Sequence, residues 1–232
     1  MIDGMRGVFA AVFLVACSNP LPPQPWPAGN YCVLRDGARC PSATNGTFEE
    51  GSIIIDSDEG FVLERSHGSS GRWSEDDNDG ILAIEVCCGT FTDTGEAFPN
   101  ESFVVIAGGA PAGAAACPRG FTPGSVYIDA EDSEVFGDNA DSQIIGNTGA
   151  TTITMNRNVD IIVCEAGPDL DGVEMPRANY CVFGGRGSCP EGFSSGTMTT
   201  YDETTNNMNE LTGTCGGIGQ RGAETSFPVC CY

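Results

Sequence analysis

The sequence predicts an all-β protein of three small disulfide-stapled units, built of short antiparallel strands behind a signal peptide and a Pro-rich tether. Three observations predict it: a two-ended signature that occurs three times, short apolar runs broken by turn residues, and cysteines at both ends of the signature. The front ends read WPAGNYCVLRDGARCP (Trp26 to Pro41), FPNESFVV…ACPRGF (Phe98 to Phe121) and MPRANYCVFGGRGSCPEGF (Met175 to Phe193). The back ends read AIEVCC (Ala83 to Cys88), DIIVCE (Asp160 to Glu165) and SFPVCC (Ser226 to Cys231). Self-similarity on this scale marks a repeated structural unit.

At the amino end, Arg6 is followed by the apolar run GVFAAVFLVA and then Cys17. A charged residue ahead of an apolar run too short to span a bilayer reads as a secretory signal over 1–17. Leu14 to Cys17 fits a bacterial lipobox, in which Cys17 carries the lipid and is the sole membrane attachment. Ala16-Cys17-Ser18 alternatively supplies the small residues of ordinary cleavage, which discards Cys17. The Pro-rich tether at 18–25 favours the lipobox. Either route puts the mature chain outside the cytoplasm, as a cell-surface lipoprotein or a secreted protein.

Repeat one follows at 26–91, repeat two at 98–165 and repeat three at 175–232. Their apolar runs are short and rich in β-branched residues: Tyr31 to Leu34, Ser52 to Ile55, Gly60 to Leu63 and Ile81 to Val86 in the first. The second has Phe103 to Ile106, Ser125 to Ile128, Thr151 to Met155 and Val159 to Val163. Asp36-Gly37, Asn45-Gly46, Glu59-Gly60 and Asp79-Gly80 punctuate them. That is a pattern of strands and hairpins, with no helical period of useful length. Ala110 to Ala116 has helical composition, but Pro111 and Gly113 make it a loop insertion. The joins, Thr92 to Ala97 and Ala166 to Glu174, are short, acidic and glycine-bearing.

A unit of about 60 residues buries roughly 60% of its unfolded surface and is marginal on core alone, so the cysteines read as staples. Repeats one and three each carry four: Cys32, Cys40, Cys87, Cys88 and Cys181, Cys189, Cys230, Cys231. Repeat two keeps Cys117 and Cys164, with Val104 and Glu165 where the other two would stand. Two cysteines lost together are a bonded pair, since losing one strands a thiol. The expected shared staple is therefore Cys40–Cys87, Cys117–Cys164 and Cys189–Cys230, and the optional one Cys32–Cys88 and Cys181–Cys231. Closing such a loop stabilises by about 4 kcal/mol in the chain-entropy model. Cys215 is left over, either buried and inert or available for self-association by linking two chains.

From Asn179 to Tyr232 the third copy resembles the repeat unit of the apextrin C-terminal (ApeC) domain. The features that carry the resemblance are the Tyr-Cys strand, the Cys-Pro and Gly192-Phe193 turn, Asp202-Glu203, Asn206-Asn207, Gly213-Thr214 and the closing Cys-Cys. Trp26-Pro27-Ala28-Gly29 matches the opening in repeat one. The second copy matches least. The resemblance implies a secreted recognition module, some members of which bind bacterial peptidoglycan or its muramyl fragments.

Charge narrows the partners. A formal net charge of −22, with no lysine in the chain, repels nucleic acid and anionic headgroups. The ligand that the resemblance implies is a polysaccharide or other surface glycan. Acidic residues follow a strand in each copy: Asp56 and Asp58, Asp129 and Glu131, Asp202 and Glu203. Alternation puts paired carboxylates on one face, where they can hold Ca²⁺ or glycan hydroxyls; equally, a polar strand end can cap backbone amides. Glu75 to Gly80 has the look of a calcium loop, yet its twelfth position is Val86, so it reads as an acidic hairpin turn. His67 is the only histidine and lies in a Gly/Ser loop, so neither a catalytic triad nor zinc finds its parts. Three near-copies suit multivalent binding better than catalysis by an acidic pair. Trp26, Trp73, Tyr127 and Tyr201 are the candidate glycan platforms; Phe121 and Phe193, at one repeat position, are expected in the core. A structural or adhesive surface protein is the alternative to glycan recognition.

Overall fold

The computed structural model describes residues 22–36, 39–56, 61–64, 73–76, 81–109, 117–130, 142–154, 158–172, 174–201 and 208–232, with side chains left aside at 56, 61–64, 73–76, 81 and 201. The signal, Cys17, Asp58, His67, the loop at 110–116, Glu131, Asp202 and Glu203 lie outside the described residues. Among the described residues there is no helix, and every strand pairing is antiparallel.

The strands fall into three sets of five. Repeat one contributes β1 (Gly29–Arg35), β2 (Gly46–Asp56), β3 (Phe61–Glu64), β4 (Trp73–Asp76) and β5 (Ile81–Phe91). Repeat two contributes β6 (Phe103–Ala107), β7 (Phe121–Ile128), β8 (Gln143–Gly146), β9 (Thr151–Ile153) and β10 (Val159–Ala166). Repeat three contributes β11 (Tyr180–Gly184), β12 (Ser194–Tyr201), β13 (Glu210–Gly213), β14 (Gly219–Arg221) and β15 (Glu224–Cys231). Strands β4 and β5 pair with Asp76 opposite Ile81, while the rest of the acidic turn expected at Glu75 to Gly80 lies outside the described residues.

The three front strands pair with one another in a closed cycle, always at the same offset. Tyr31 and Cys32 face Ala107 and Ile106; Phe103 and Val104 face Gly184 and Phe183; Tyr180 and Cys181 face Arg35 and Leu34. Each front strand also pairs with the last strand of its own copy, and that with the second strand. The third strand does something the sequence does not announce. It leaves its own copy and pairs with the second strand of another: β8 on β2, β13 on β7 and β3 on β12. The copies therefore do not stand as separate units; each completes a neighbour's sheet.

Two glycines permit this exchange. Gly146 and Gly213 end β8 and β13 at φ of 72° and 71°. A Cβ on either would meet the Glu50 or Pro123 carbonyl oxygen at 2.4 or 2.6 Å. Only a residue without a side chain is at home there.

The front strands are buried on both faces, which explains their continuous apolar runs. One face, with Cys32, Leu34, Val104, Ile106, Cys181 and Phe183, meets inward residues of the longer strands. The other carries Tyr31, Val33, Phe103, Val105, Tyr180 and Val182 into an aromatic layer. Trp26, Phe98 and Met175 seal that layer. Trp26 lies 4.7 Å from the Phe48 ring, Phe98 lies 5.0 Å from Phe121, and Phe193 lies 5.6 Å from Tyr180. Trp26 is 0% exposed, so the expectation of a glycan platform there is corrected: its ring is core. Burying a side chain this large is worth several kcal/mol, about 25 cal/mol per Å².

Five disulfides close the copies. Cys40–Cys87, Cys117–Cys164 and Cys189–Cys230 tie the segment after each front strand to the last strand. Cys32–Cys88 and Cys181–Cys231 join residues directly opposite in register. These are the five pairs expected from the two cysteines missing in repeat two. There Val104 sits opposite Glu165 in the same register. The Glu165 carboxylate accepts from the Gly216 N–H at 3.2 Å and faces Arg186 Nε at 3.7 Å, so a polar tie to repeat three stands in place of the bridge. Cys215 is 6% exposed, with its Sγ 3.4 Å from the Ser125 and Thr212 carbonyl oxygens. Burial pushes its thiol pKa up. The thiol is packed against the chain's own carbonyls.

Candidate functional site

The acidic strand ends separate once the register is known. Asp56, Asp129 and Tyr201 hold equivalent positions, because Ile55, Ile128 and Thr200 before them face Leu82, Val159 and Thr225 of the last strands. Tyr201, rather than Asp202, thus stands where the other copies have aspartate. Asp129 is 1% exposed. Its Oδ2 accepts from the Met208 N–H at 2.6 Å, while its own N–H donates to Asn209 Oδ1 at 2.7 Å. This is the amide-capping role, and it ties repeat two to repeat three. The described residues contain no group of three or more His, Cys, Asp or Glu placed to hold a metal. Asp56 is described in its backbone alone.

Of the four candidate platforms, Trp26 is core, and Trp73 and Tyr201 are described in backbone alone, opposite Ile84 and Glu224. Tyr127 is different. On β7 the side chains alternate, so Val126 and Ile128 enter the core while Ser125 and Tyr127 project outward. On β10, Val159 and Ile161 point inward, which turns Asp160 outward.

The register then lines up four outward residues across four strands. Thr152 faces Asp160, Asp160 faces Tyr127, and Tyr127 faces Glu210. Directly opposite residues have Cβ atoms about 5 Å apart. The half-buried Tyr127 ring is consequently flanked by two carboxylates on a sheet face, with a hydroxyl beyond. Asn158 Nδ2 donates to the Tyr127 hydroxyl at 2.8 Å and fixes the ring from its far end. Ser125 and Thr212 hydroxyls meet at 3.0 Å in the next row, and Gln220 Nε2 donates to the Tyr127 carbonyl at 2.8 Å.

Three polar atoms here have no hydrogen-bond partner: Asp160 Oδ1, Asn158 Oδ1 and Thr154 Oγ1. Asn158 is 0% exposed. A buried acceptor left without a donor costs about 1–3 kcal/mol, so such a group calls for an explanation. Burial also raises the Asp160 pKa above the usual carboxylate value, an effect a hydrogen bond with Ser125 partly offsets.

The fold does not require this row. The equivalent positions in repeat one are Ser74, Ala83, Ile54 and Gln143. In repeat three they are Gly219, Ser226, Thr199 and Val62. Only the row across β9, β10, β7 and β13 combines a ring with two carboxylates, Glu210 being lent by repeat three. The sequence reading singled out Tyr127 but passed over Asp160, Asn158 and Glu210. The signal was present in Asn158-Val159-Asp160, two polar residues at outward positions where the other copies are largely apolar or small.

A second polar surface lies where the joins meet. Two adjoining grooves of about 440 and 460 Å³ share Pro27, Glu96 and Ala97. Glu174 and Arg177 line the first, and Asp93, Arg119, Asp169 and Asp171 the second. Arg177 is paired with Glu174 at 3.1 Å. The grooves can take a hydroxyl-rich ligand, but they hold no ring for it to rest on beyond the buried Phe98. Compared with protein-family models, with curated proteins and with solved structures, the chain matches none at a significant level.

Proposed function

We propose that this is an exported, non-catalytic recognition protein that binds a cell-surface polysaccharide through the outer face of its second repeat. The observation that carries the reading is the Asp160–Tyr127–Glu210 row. An aromatic ring offers apolar area to the C–H face of a sugar, and flanking carboxylates accept from its hydroxyls, the usual division of labour in ligand sites. A charge of −22 disfavours densely anionic polymers such as nucleic acid. Disulfides fit an oxidising compartment outside the cytoplasm. The resemblance of Asn179 to Tyr232 to the ApeC repeat makes peptidoglycan the first polymer to try.

The test is retention of the full chain on insoluble peptidoglycan, with chitin alongside and with or without Ca²⁺. Retention that survives chelation and falls on Tyr127→Ala supports the reading. Failure to bind any polysaccharide overturns it, and release of soluble sugar replaces it with a hydrolase.

One observation favours the structural alternative. Among the described residues strand β8 pairs with β2 alone, and Ile145 on it is 53% exposed. An apolar edge of this kind invites strand addition. Concentration-dependent self-association lost on Ile145→Lys, without polysaccharide binding, is the result that reading requires.

A further inference from the structure

Resting on the glycan reading above, we infer that the second-repeat row selects a sugar carrying a free, protonated amine over its N-acetylated counterpart. Three features of the row point the same way. First, its unmet needs are for donors. Asp160 Oδ1 and Asn158 Oδ1 are both buried acceptors without partners. A hydroxyl brings one hydrogen, whereas an ammonium brings three, and an acetamide brings one N–H together with a carbonyl that would face these oxygens unfavourably.

Second, the charge around Asp160 is of one sign. Ser125 and Tyr127 face it from β7, Thr152 from β9, and Glu210 lies beyond Tyr127 on β13. Among the described residues, none of these supplies a cation. Half-burial makes a carboxylate costly to charge, and a ligand ammonium offsets that cost while making a charge-assisted hydrogen bond. Third, a cation beside an aromatic ring gains from the ring's negative face. Tyr127 stands between Asp160 and Glu210 in register, so an amine on a sugar stacked over the ring lies beside both carboxylate-bearing positions.

The substitution that tests this is compatible with the fold, because Ala83 and Ser226 occupy the position of Asp160 in the other copies. Calorimetric titration of the full chain with a β-1,4-glucosamine tetramer and with its fully N-acetylated form is the experiment. We expect the free-amine tetramer to bind about tenfold more tightly at low salt, with the advantage shrinking as salt rises. Asp160→Asn should bring the ratio between the two ligands to within about twofold. Glu191→Gln, an exposed carboxylate outside the row, should leave that ratio unchanged. Equal affinity for the two tetramers in the wild type overturns the amine inference, and if Tyr127→Ala weakens both, the glycan reading stands without it. No binding of either tetramer also overturns the inference. Peptidoglycan retention that is insensitive to Tyr127→Ala removes the glycan site itself.

Discussion

Asp160 shows what a single outward residue can reveal. Its neighbours in strand order, Val159 and Ile161, fill the core, and its own side chain could be small, as at Ala83 and Ser226. Because burial raises its folded-state pKa above 3.8, the folded protein holds this proton more tightly than the unfolded chain. Stability from this group therefore falls as pH rises through the window above 3.8, and stays lower at neutral pH. Asp160→Asn should raise the melting temperature at pH 7 and leave it little changed near pH 3, measured by thermal melts at both. Val104 and Glu165 offer a second test at this scale, since they face each other as Cys32 faces Cys88. Val104→Cys with Glu165→Cys should close a sixth disulfide, leaving the free-thiol count unchanged and adding about 2–4 kcal/mol less whatever the Glu165–Gly216 hydrogen bond contributes. Two extra titratable thiols under oxidising conditions would contradict the shared register. The cysteine pairs were legible in the sequence because loss of a bonded pair leaves a trace. The outward row left a fainter trace in Asn158-Val159-Asp160, since a polar residue on a sheet face looks like any solvated one.

At the scale of the element, the front and last strands were legible from their apolar runs, which two-sided or one-sided burial demands. Strands β8, β9, β13 and β14 were harder. They are three or four residues long, and β8 and β13 are largely exposed, so neither alternation nor a continuous run marks them. The Thr151 to Met155 run was read as one strand; of it, Thr151–Ile153 is strand. The exchange of third strands could not be read at all, because a strand's own residues specify a pleated edge and not whose edge it meets. The glycines at the ends of β8 and β13 are where this arrangement is most exposed to mutation. Gly213→Ala puts a Cβ at 2.6 Å from the Pro123 carbonyl at a positive φ. It should destabilise by about 1–3 kcal/mol, read from denaturant midpoints. Gly219→Ala, with open space around its Cβ position and no positive φ, serves as the control.

For the whole molecule, the closed cycle of front strands and the exchanged third strands make three weak units into one. Both hydrophobic clusters draw residues from all three copies. Unfolding of the oxidised chain should then be a single cooperative transition seen alike by circular dichroism and by tryptophan fluorescence, since Trp26 sits in the shared aromatic layer. Three resolved transitions would mean independent units. Removing the Trp26 ring by Trp26→Ala should cost about 3–5 kcal/mol and lower that one transition as a whole.

A shared scaffold of this kind frees outward positions from the demands of the core, and repeats two and three together fill one row with a ring between two carboxylates. Whether that row binds a polysaccharide is the claim on which the functional account turns. The most direct measurement is the binding isotherm of the full chain on insoluble peptidoglycan, for the wild type and for Tyr127→Ala. Saturable binding that weakens about tenfold on removing the ring is the predicted result. Identical isotherms, or no binding by either protein, would contradict it.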